Sequence, residues 1–109
     1  MDIHTTEGPV TVIAISGDLD STTAPQAQER ILPLAQPGSK LLLEMSGVAY
    51  MSSAGLRLLL SVSRQVSRQA GRMVLVGLSA EIKDVLAITG FLLFFTTCDT
   101  LDEGLRALA

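Results

Sequence analysis

The first half of the chain alternates short apolar runs with a stretch of helical spacing. Residues 3–7 and 10–16 are predicted strands, and the Gly8-Pro9 pair between them predicts a tight antiparallel connection. A helix follows, with candidate caps in residues 21–23 and apolar side chains at helical spacing: Ala24, Ala27, Ile31 and Leu34. Residues 40–44 are almost continuously apolar, which is typical of a strand covered on both faces. We therefore expect this strand at the centre of a sheet.

The longest predicted helix runs from about Ser53 to Ala70. At about 100° per residue, one face of this helix collects the apolar side chains Leu58, Leu59, Val62 and Val66. The opposite face collects the basic side chains Arg57, Arg64 and Arg68. The apolar face is predicted to pack on the core, and the arginine face is predicted to be exposed.

The last third of the chain continues the alternation of strands and helices. A buried strand is predicted over residues 73–76, and Ser79 is predicted to cap a helix whose inward positions are Ile82, Val85, Leu86 and Thr89. The last strand is predicted over residues 93–97, and Thr100 with Glu103 forms a capping box for the closing helix. Two adjacent strands followed by this alternation predict an α/β fold with a mixed, partly parallel sheet. A chain of 109 residues favours one domain spanning residues 1–109.

Composition excludes several classes of protein. Hydrophobic residues make up 48% of the chain and charged residues 17%, which argues against a disordered chain. The chain has no uninterrupted apolar run of about 18 residues, so no membrane span is predicted. The first residues lack the basic and apolar regions of a signal peptide, and we expect a soluble cytoplasmic protein.

Net charge also bears on the partners. The formal charge of -3 argues against a nucleic-acid partner. The charge is unevenly distributed, however, because residues 51–80 contain four arginines and no acidic residue. An anionic group is therefore most compatible with this middle segment.

Catalytic and cofactor chemistry is poorly represented. The sequence has no glycine-rich phosphate loop, and its single cysteine, Cys98, and single histidine, His4, are too few for a zinc site. His4 lies in a predicted opening strand and the chain has no G-x-S-x-G nucleophile elbow, so no serine has the base that hydrolase chemistry needs. We expect no catalytic residues, no cofactor and no metal, and we interpret Cys98 as a buried residue at a strand end.

Two serines lie where the loop from Ser46 to Leu56 becomes a helix. Either Ser52 or Ser53 suits the N-cap of that helix. Either is also a candidate for phosphorylation, because a helix N-terminus presents unpaired N–H groups and a positive dipole end to an added phosphate.

The chain resembles the STAS domain of bacterial anti-sigma factor antagonists over essentially its whole length. The resemblance is carried by Gly17-Asp18-Leu19-Asp20, the loop from Ser46 to Leu56, Val76-Gly77 and Thr89-Gly90-Phe91, in that order and spacing. It implies a STAS-like mixed sheet with helices packed mainly over one face. Ser53 aligns with the serine that the family phosphorylates. Ser52 stands where the family usually has aspartate, which makes it a competing acceptor, and Ala54 stands where a second serine is common.

The resemblance also implies a function and partners. The unphosphorylated chain would bind an anti-sigma factor that is a serine kinase, phosphorylation would release it, and a serine phosphatase would reverse the change. ATP and Mg²⁺ would belong to the kinase. The expected partner surface comprises Asp18, Asp20, Ser21, Tyr50, Met51, Ser52, Ser53, Gly55 and Arg57. The alternative is a STAS subunit of a transporter or signalling scaffold that uses the same surface without switching.

Arg57 has two open interpretations. It stands four residues after Ser53, so in a regular first turn the two side chains share a face and the arginine can pair with a phosphate on Ser53. Alternatively, it completes a solvated basic stripe with Arg64 and Arg68.

Overall fold

One mixed sheet of five strands organises the chain. The computed structural model describes residues 1–109. The strands are β1 (Asp2–Thr6), β2 (Thr11–Ser16), β3 (Lys40–Gly47), β4 (Arg72–Val76) and β5 (Thr96–Cys98). Their order in the sheet is the order in the chain, with β1 antiparallel to β2 and all other pairs parallel. The prediction of a mixed sheet with residues 40–44 at its centre is confirmed.

Four α-helices connect or follow the strands. They are α1 (Ala24–Ile31), α2 (Ser53–Arg68), α3 (Ala80–Ile88) and α4 (Leu101–Leu108). Short 3₁₀ helices cover Leu32–Leu34 and Phe91–Phe94. None of the helices combines the length and the apolar character needed to cross a membrane.

Two hydrophobic cores lie on opposite faces of the sheet. The larger core packs α1, α2 and α3 against one face, and its α2 members are the predicted apolar face: Leu58, Leu59, Val62 and Val66. The smaller core packs α4 on the other face around Leu42, Val74, Val76 and Leu108. The alternation of Leu41, Leu42 and Leu43 between these cores explains why β3 reads as a continuous apolar run. The predicted bias of the helices toward one face is confirmed.

Helix starts follow local side-chain chemistry. The Ser79 hydroxyl accepts a hydrogen bond from the Ile82 N–H at 3.2 Å. Thr100 and Glu103 form the predicted reciprocal capping box, with the Thr100 N–H donating to Glu103 Oε1 at 3.1 Å and the Glu103 N–H donating to Thr100 Oγ1 at 3.2 Å. These polar residues satisfy N–H groups that the first helical turn leaves without partners.

The predicted strand over residues 93–97 is wrong in most of its length. Gly90 adopts a left-handed conformation with φ of 80°, and Phe91–Phe94 then form a 3₁₀ helix before the three-residue β5. Phe91 and Leu92 both pack against the larger core, whereas Leu93 is 93% exposed. Consecutive residues cannot face the same side of a strand, so a helical turn is needed to direct both of these apolar side chains inward.

The inward face of α3 is narrower than predicted. Ile82 and Leu86 are buried, but Val85 is 49% exposed and Thr89 is also exposed. The Thr89 hydroxyl instead donates to the carbonyl of Val85 at 2.7 Å, back along its own helix. Cys98 ends β5 as predicted, but it is half-buried against the smaller core and not buried.

Candidate functional site

Two loops lie side by side at the edge of the sheet where β2 and β3 end. The first loop covers residues 17–23 and the second covers residues 48–52. The Leu19 N–H donates to the carbonyl of Tyr50 at 2.9 Å, and the Ser52 N–H donates to the carbonyl of Leu19 at 2.9 Å. A short parallel bridge joins Leu19 to Met51. Because β2 and β3 are parallel neighbours, their carboxyl ends bring these loops together.

Leu19 and Gly55 fix the contact between the first loop and α2. The Leu19 side chain is fully buried in the larger core. A Cβ atom at Gly55 would lie 2.6 Å from the Leu19 carbonyl oxygen and 2.6 Å from Cγ of Met51. Only glycine allows α2 to begin this close to the backbone of the neighbouring loop.

The two serines at the start of α2 have different roles. Ser52 is the N-cap, half-buried, and its hydroxyl accepts a hydrogen bond from the Ala54 N–H at 3.2 Å. Ser53 is the first residue of α2, and its side chain is exposed. Neither its hydroxyl nor its backbone N–H takes part in a hydrogen bond within the chain. The cap is therefore Ser52, and the accessible hydroxyl is that of Ser53.

Asp20 holds the first loop in place. Its Oδ1 atom accepts hydrogen bonds from the Thr22 N–H at 2.9 Å and the Thr23 N–H at 3.1 Å. The Asp20 N–H donates to Thr23 Oγ1 at 2.9 Å, which completes a reciprocal cap on the turn before α1. These backbone N–H groups, first that of Thr23 and then that of Thr22, lower the pKa of the Asp20 carboxyl from its ordinary value near 3.8. The N-cap of α1 is Thr23, within the predicted residues 21–23, but Thr23 makes no side-chain cap hydrogen bond to α1. The side chain that caps the preceding turn is that of Asp20.

We expect Asp20→Ala to lower the melting temperature by several degrees near neutral pH, because the turn before α1 loses its cap. Folding lowers the Asp20 pKa, so the ionised carboxylate stabilises the native state above the ordinary value near 3.8. That contribution disappears as the pH falls through the native pKa. Thermal melts of wild type and Asp20→Ala should therefore converge in acid. Asp18→Ala, which removes an exposed carboxylate from the same loop, is the control; an equal loss in both variants would contradict the capping role.

The remaining predicted site residues surround this junction. Tyr50 is 55% exposed, and Met51 is half-buried against the larger core. Ser21 and Arg57 are both exposed and both line a groove between α1 and α2. The first loop and residues 50–55 therefore lie together at one end of the sheet.

The sequence profile of the STAS domain matches residues 1–104. The chain belongs to the STAS domain family. Among its relatives, the anti-sigma-B factor antagonist of Bacillus subtilis is 32% identical over 90 residues, which cover 83% of this chain and 82% of the relative.

Solved structures share the fold of this STAS domain. An anti-sigma-factor antagonist (STAS) domain protein from Planctomyces limnophilus aligns with a TM-score of 0.89 at 25% identity, over 99% of this chain and 98% of that one. The phosphorylated form of SpoIIAA from Bacillus aligns with a TM-score of 0.75 at 20% identity, over 99% of this chain and 100% of that one. At that identity, the second similarity establishes the fold alone.

Sequence reasoning missed two features of this STAS domain. The sequence does indicate the burial of Leu19, because Leu19 is the only apolar residue between Gly17 and Thr23. The groove between α1 and α2 had no such signal, because it arises from the packing of two helices that are separated by a strand.

Proposed function

We propose that this STAS domain is an anti-sigma factor antagonist that works by partner switching. The unphosphorylated chain binds a kinase anti-sigma factor, and phosphorylation of Ser53 releases that partner. The chain acts by binding and catalyses no reaction itself. The observation that carries the proposal is the exposed, unbonded Ser53 hydroxyl at the first position of α2, beside two interlocked loops.

The local chemistry favours Ser53 over Ser52 as the acceptor. Ser52 is half-buried and its hydroxyl is already engaged with the Ala54 N–H, so it is less accessible to a kinase and a phosphate there would have to fit a partly buried position. The Ser53 hydroxyl can be reached from solvent without disturbing that cap. The positive end of the α2 dipole and the free Ser53 N–H favour a negative group at this position.

The phosphorylation step requires only a positioned hydroxyl from this chain. Ser53 Oγ attacks the γ-phosphorus of ATP held by the kinase, and a new O–P bond forms as the bond to the β–γ bridging oxygen breaks. ADP leaves, and the hydroxyl proton passes to a base on the kinase. A serine phosphatase restores the hydroxyl by hydrolysis of the phosphoester.

Release follows from the charge that the phosphate introduces. An interface formed around a neutral hydroxyl would have to accommodate a charge of about -1.5 to -2, and burying that charge without partners is costly. The fold itself tolerates the phosphate because Ser53 lies on the surface. The relationship to the Bacillus subtilis antagonist supports this role.

We expect the cognate kinase and ATP to add one phosphate to wild type and to Ser52→Ala, and none to Ser53→Ala. Peptide mass spectrometry locates the modified residue. The kinase is identified by comparing the proteins that wild type and Ser53→Asp retain from the native cell, and is then purified. Its affinity for Ser53→Asp should be at least about tenfold weaker than for wild type, because the variant places a negative charge in the interface.

Phosphate on Ser52 alone would refute the acceptor assignment. Partner binding that is equal for wild type, Ser53→Asp and the phosphorylated chain would refute switching. That result would instead indicate a STAS subunit of a transporter or signalling scaffold that binds without a switch.

A further inference from the structure

A groove of about 760 Å³ runs between α1 and α2 and reaches the start of α2. Its walls repeat at helical spacing. From the α1 side they include Ser21, Pro25, Gln28 and Leu32, and from α2 they include Ala54, Arg57, Leu58 and Ser61. Each wall therefore presents about two turns of one helix face, a length of about 10 Å on α2.

We propose that this groove receives a short amphipathic helix of the protein partner, with aliphatic side chains inside the groove and a carboxylate on Arg57. The proposal rests on the proposed function only in taking this partner to be the one that Ser53 phosphorylation releases. Each wall is long enough to contact two turns of a bound helix, and an amphipathic helix presents its apolar anchors over that length at positions i, i+3, i+4 and i+7.

Charge complementarity selects an acidic helix. Arg57 is the only charged residue on the α2 wall of the groove, and Arg64 and Arg68 lie further along α2, outside it. No acidic residue occurs anywhere in residues 51–80, so the Arg57 guanidinium has no carboxylate partner on its own helix. Glu29 is the only acidic residue that lines the groove, and it belongs to the opposite wall. A carboxylate on the α2 side of a bound helix would meet Arg57 and no negative charge on that wall.

The position of Arg57 links the groove to Ser53. Both residues are exposed on α2 and stand four positions apart, so their side chains lie on neighbouring turns of one face. A phosphate on Ser53 would compete with the partner's carboxylate for Arg57 and would repel that carboxylate. Phosphorylation would then weaken the groove contact as well as the contact at Ser53 itself.

Blocking the groove provides the first test. Gln28→Trp places an indole on the groove wall, and Gln26→Trp places the same side chain on an exposed part of α1 that does not line the groove. We expect the purified kinase to bind Gln28→Trp at least about tenfold more weakly than wild type and to bind Gln26→Trp within about twofold. Equal affinities for wild type and Gln28→Trp, with both variants folded by circular dichroism, would overturn the proposal.

Charge reversal provides the second test. Arg57→Glu should weaken kinase binding about tenfold or more, whereas Arg68→Glu, the same change outside the groove, should alter it less than about threefold. In addition, the Ser53→Asp substitution should cause a smaller loss of affinity in an Arg57→Gln background than in wild type, because the two groups no longer compete. Equal losses of kinase affinity from Arg57→Glu and Arg68→Glu would show that Arg57 acts only as part of a general basic surface, and would overturn its role in the groove.

Cross-linking identifies the occupant. A diazirine-bearing aliphatic amino acid, similar in length to glutamine and therefore too small to block the groove, should attach from position 28 to a helical, acidic segment of the kinase. The same group at position 26 should not. Attachment from position 28 to a second copy of this chain, or to a basic or non-helical segment, would overturn the proposal. If Ser53→Asp loses kinase binding but Gln28→Trp does not, switching at Ser53 is supported and the groove proposal is wrong.

If position 28 cross-links to the kinase but Ser53→Asp binds it as wild type does, the groove proposal is supported and switching at Ser53 is wrong.

Discussion

Leu19→Ala should lower the free energy of unfolding by about 2–5 kcal/mol, the range for deletion of a fully buried leucine side chain. Although Leu19 lies in a loop, its side chain belongs to the larger core and its backbone pairs with Tyr50 and Ser52. Denaturant unfolding at equilibrium measures the loss.

Leu93→Ala is the matched control for this substitution. Leu93 is 93% exposed, so the same deletion there should change the free energy of unfolding by less than about 0.5 kcal/mol. A similar small change for Leu19→Ala would show that the first loop does not anchor to the core.

Gly55→Ala should destabilise the chain by about 1–3 kcal/mol, because the new methyl group would meet the Leu19 carbonyl oxygen at 2.6 Å. A backbone atom cannot move aside as a flexible side chain can, so α2 and the first loop must separate. The better helix propensity of alanine, worth about 1 kcal/mol, offsets only part of this cost.

Gly8→Ala tests the same substitution where space is available. A Cβ atom at Gly8 has only an ordinary contact, at 3.6 Å from the Val10 carbonyl oxygen. We expect its unfolding free energy to stay within about 0.5 kcal/mol of wild type. Amide shifts of Leu19 and Ser52 in NMR spectra should change in Gly55→Ala but not in Gly8→Ala. Unchanged stability and shifts in Gly55→Ala would contradict the close packing.

The elements with a strong period were predictable from the sequence. The buried face of α2 was predicted residue by residue, because 3.6-residue spacing over four turns leaves little ambiguity. The run from Phe91 to Phe95 carries no period, so sequence reasoning could not separate a strand from a 3₁₀ turn followed by a short strand. Which of these two structures forms depends on how many of the apolar side chains in residues 91–95 pack against the larger core.

At the candidate site, the sequence located the junction but not its internal arrangement. Ser52 and Ser53 have the same intrinsic capping ability, and only the residue at which α2 starts decides which hydroxyl remains accessible. That start is set by tertiary contacts, among them the hydrogen bond from the Ser52 N–H to the Leu19 carbonyl. The resemblance to the STAS family assigned Ser53 by alignment, and its accessibility became visible only with the loops in place.

The pairing of the first loop with residues 50–52 has a consequence for the free energy of recognition. Backbone hydrogen bonds and a buried leucine hold both loops in one conformation before any partner arrives. A partner that meets this surface does not have to order it, so little conformational entropy is lost on association. Under the proposed function, a phosphate at the exposed first residue of α2 would change the electrostatic potential of a preorganised surface and leave its shape in place.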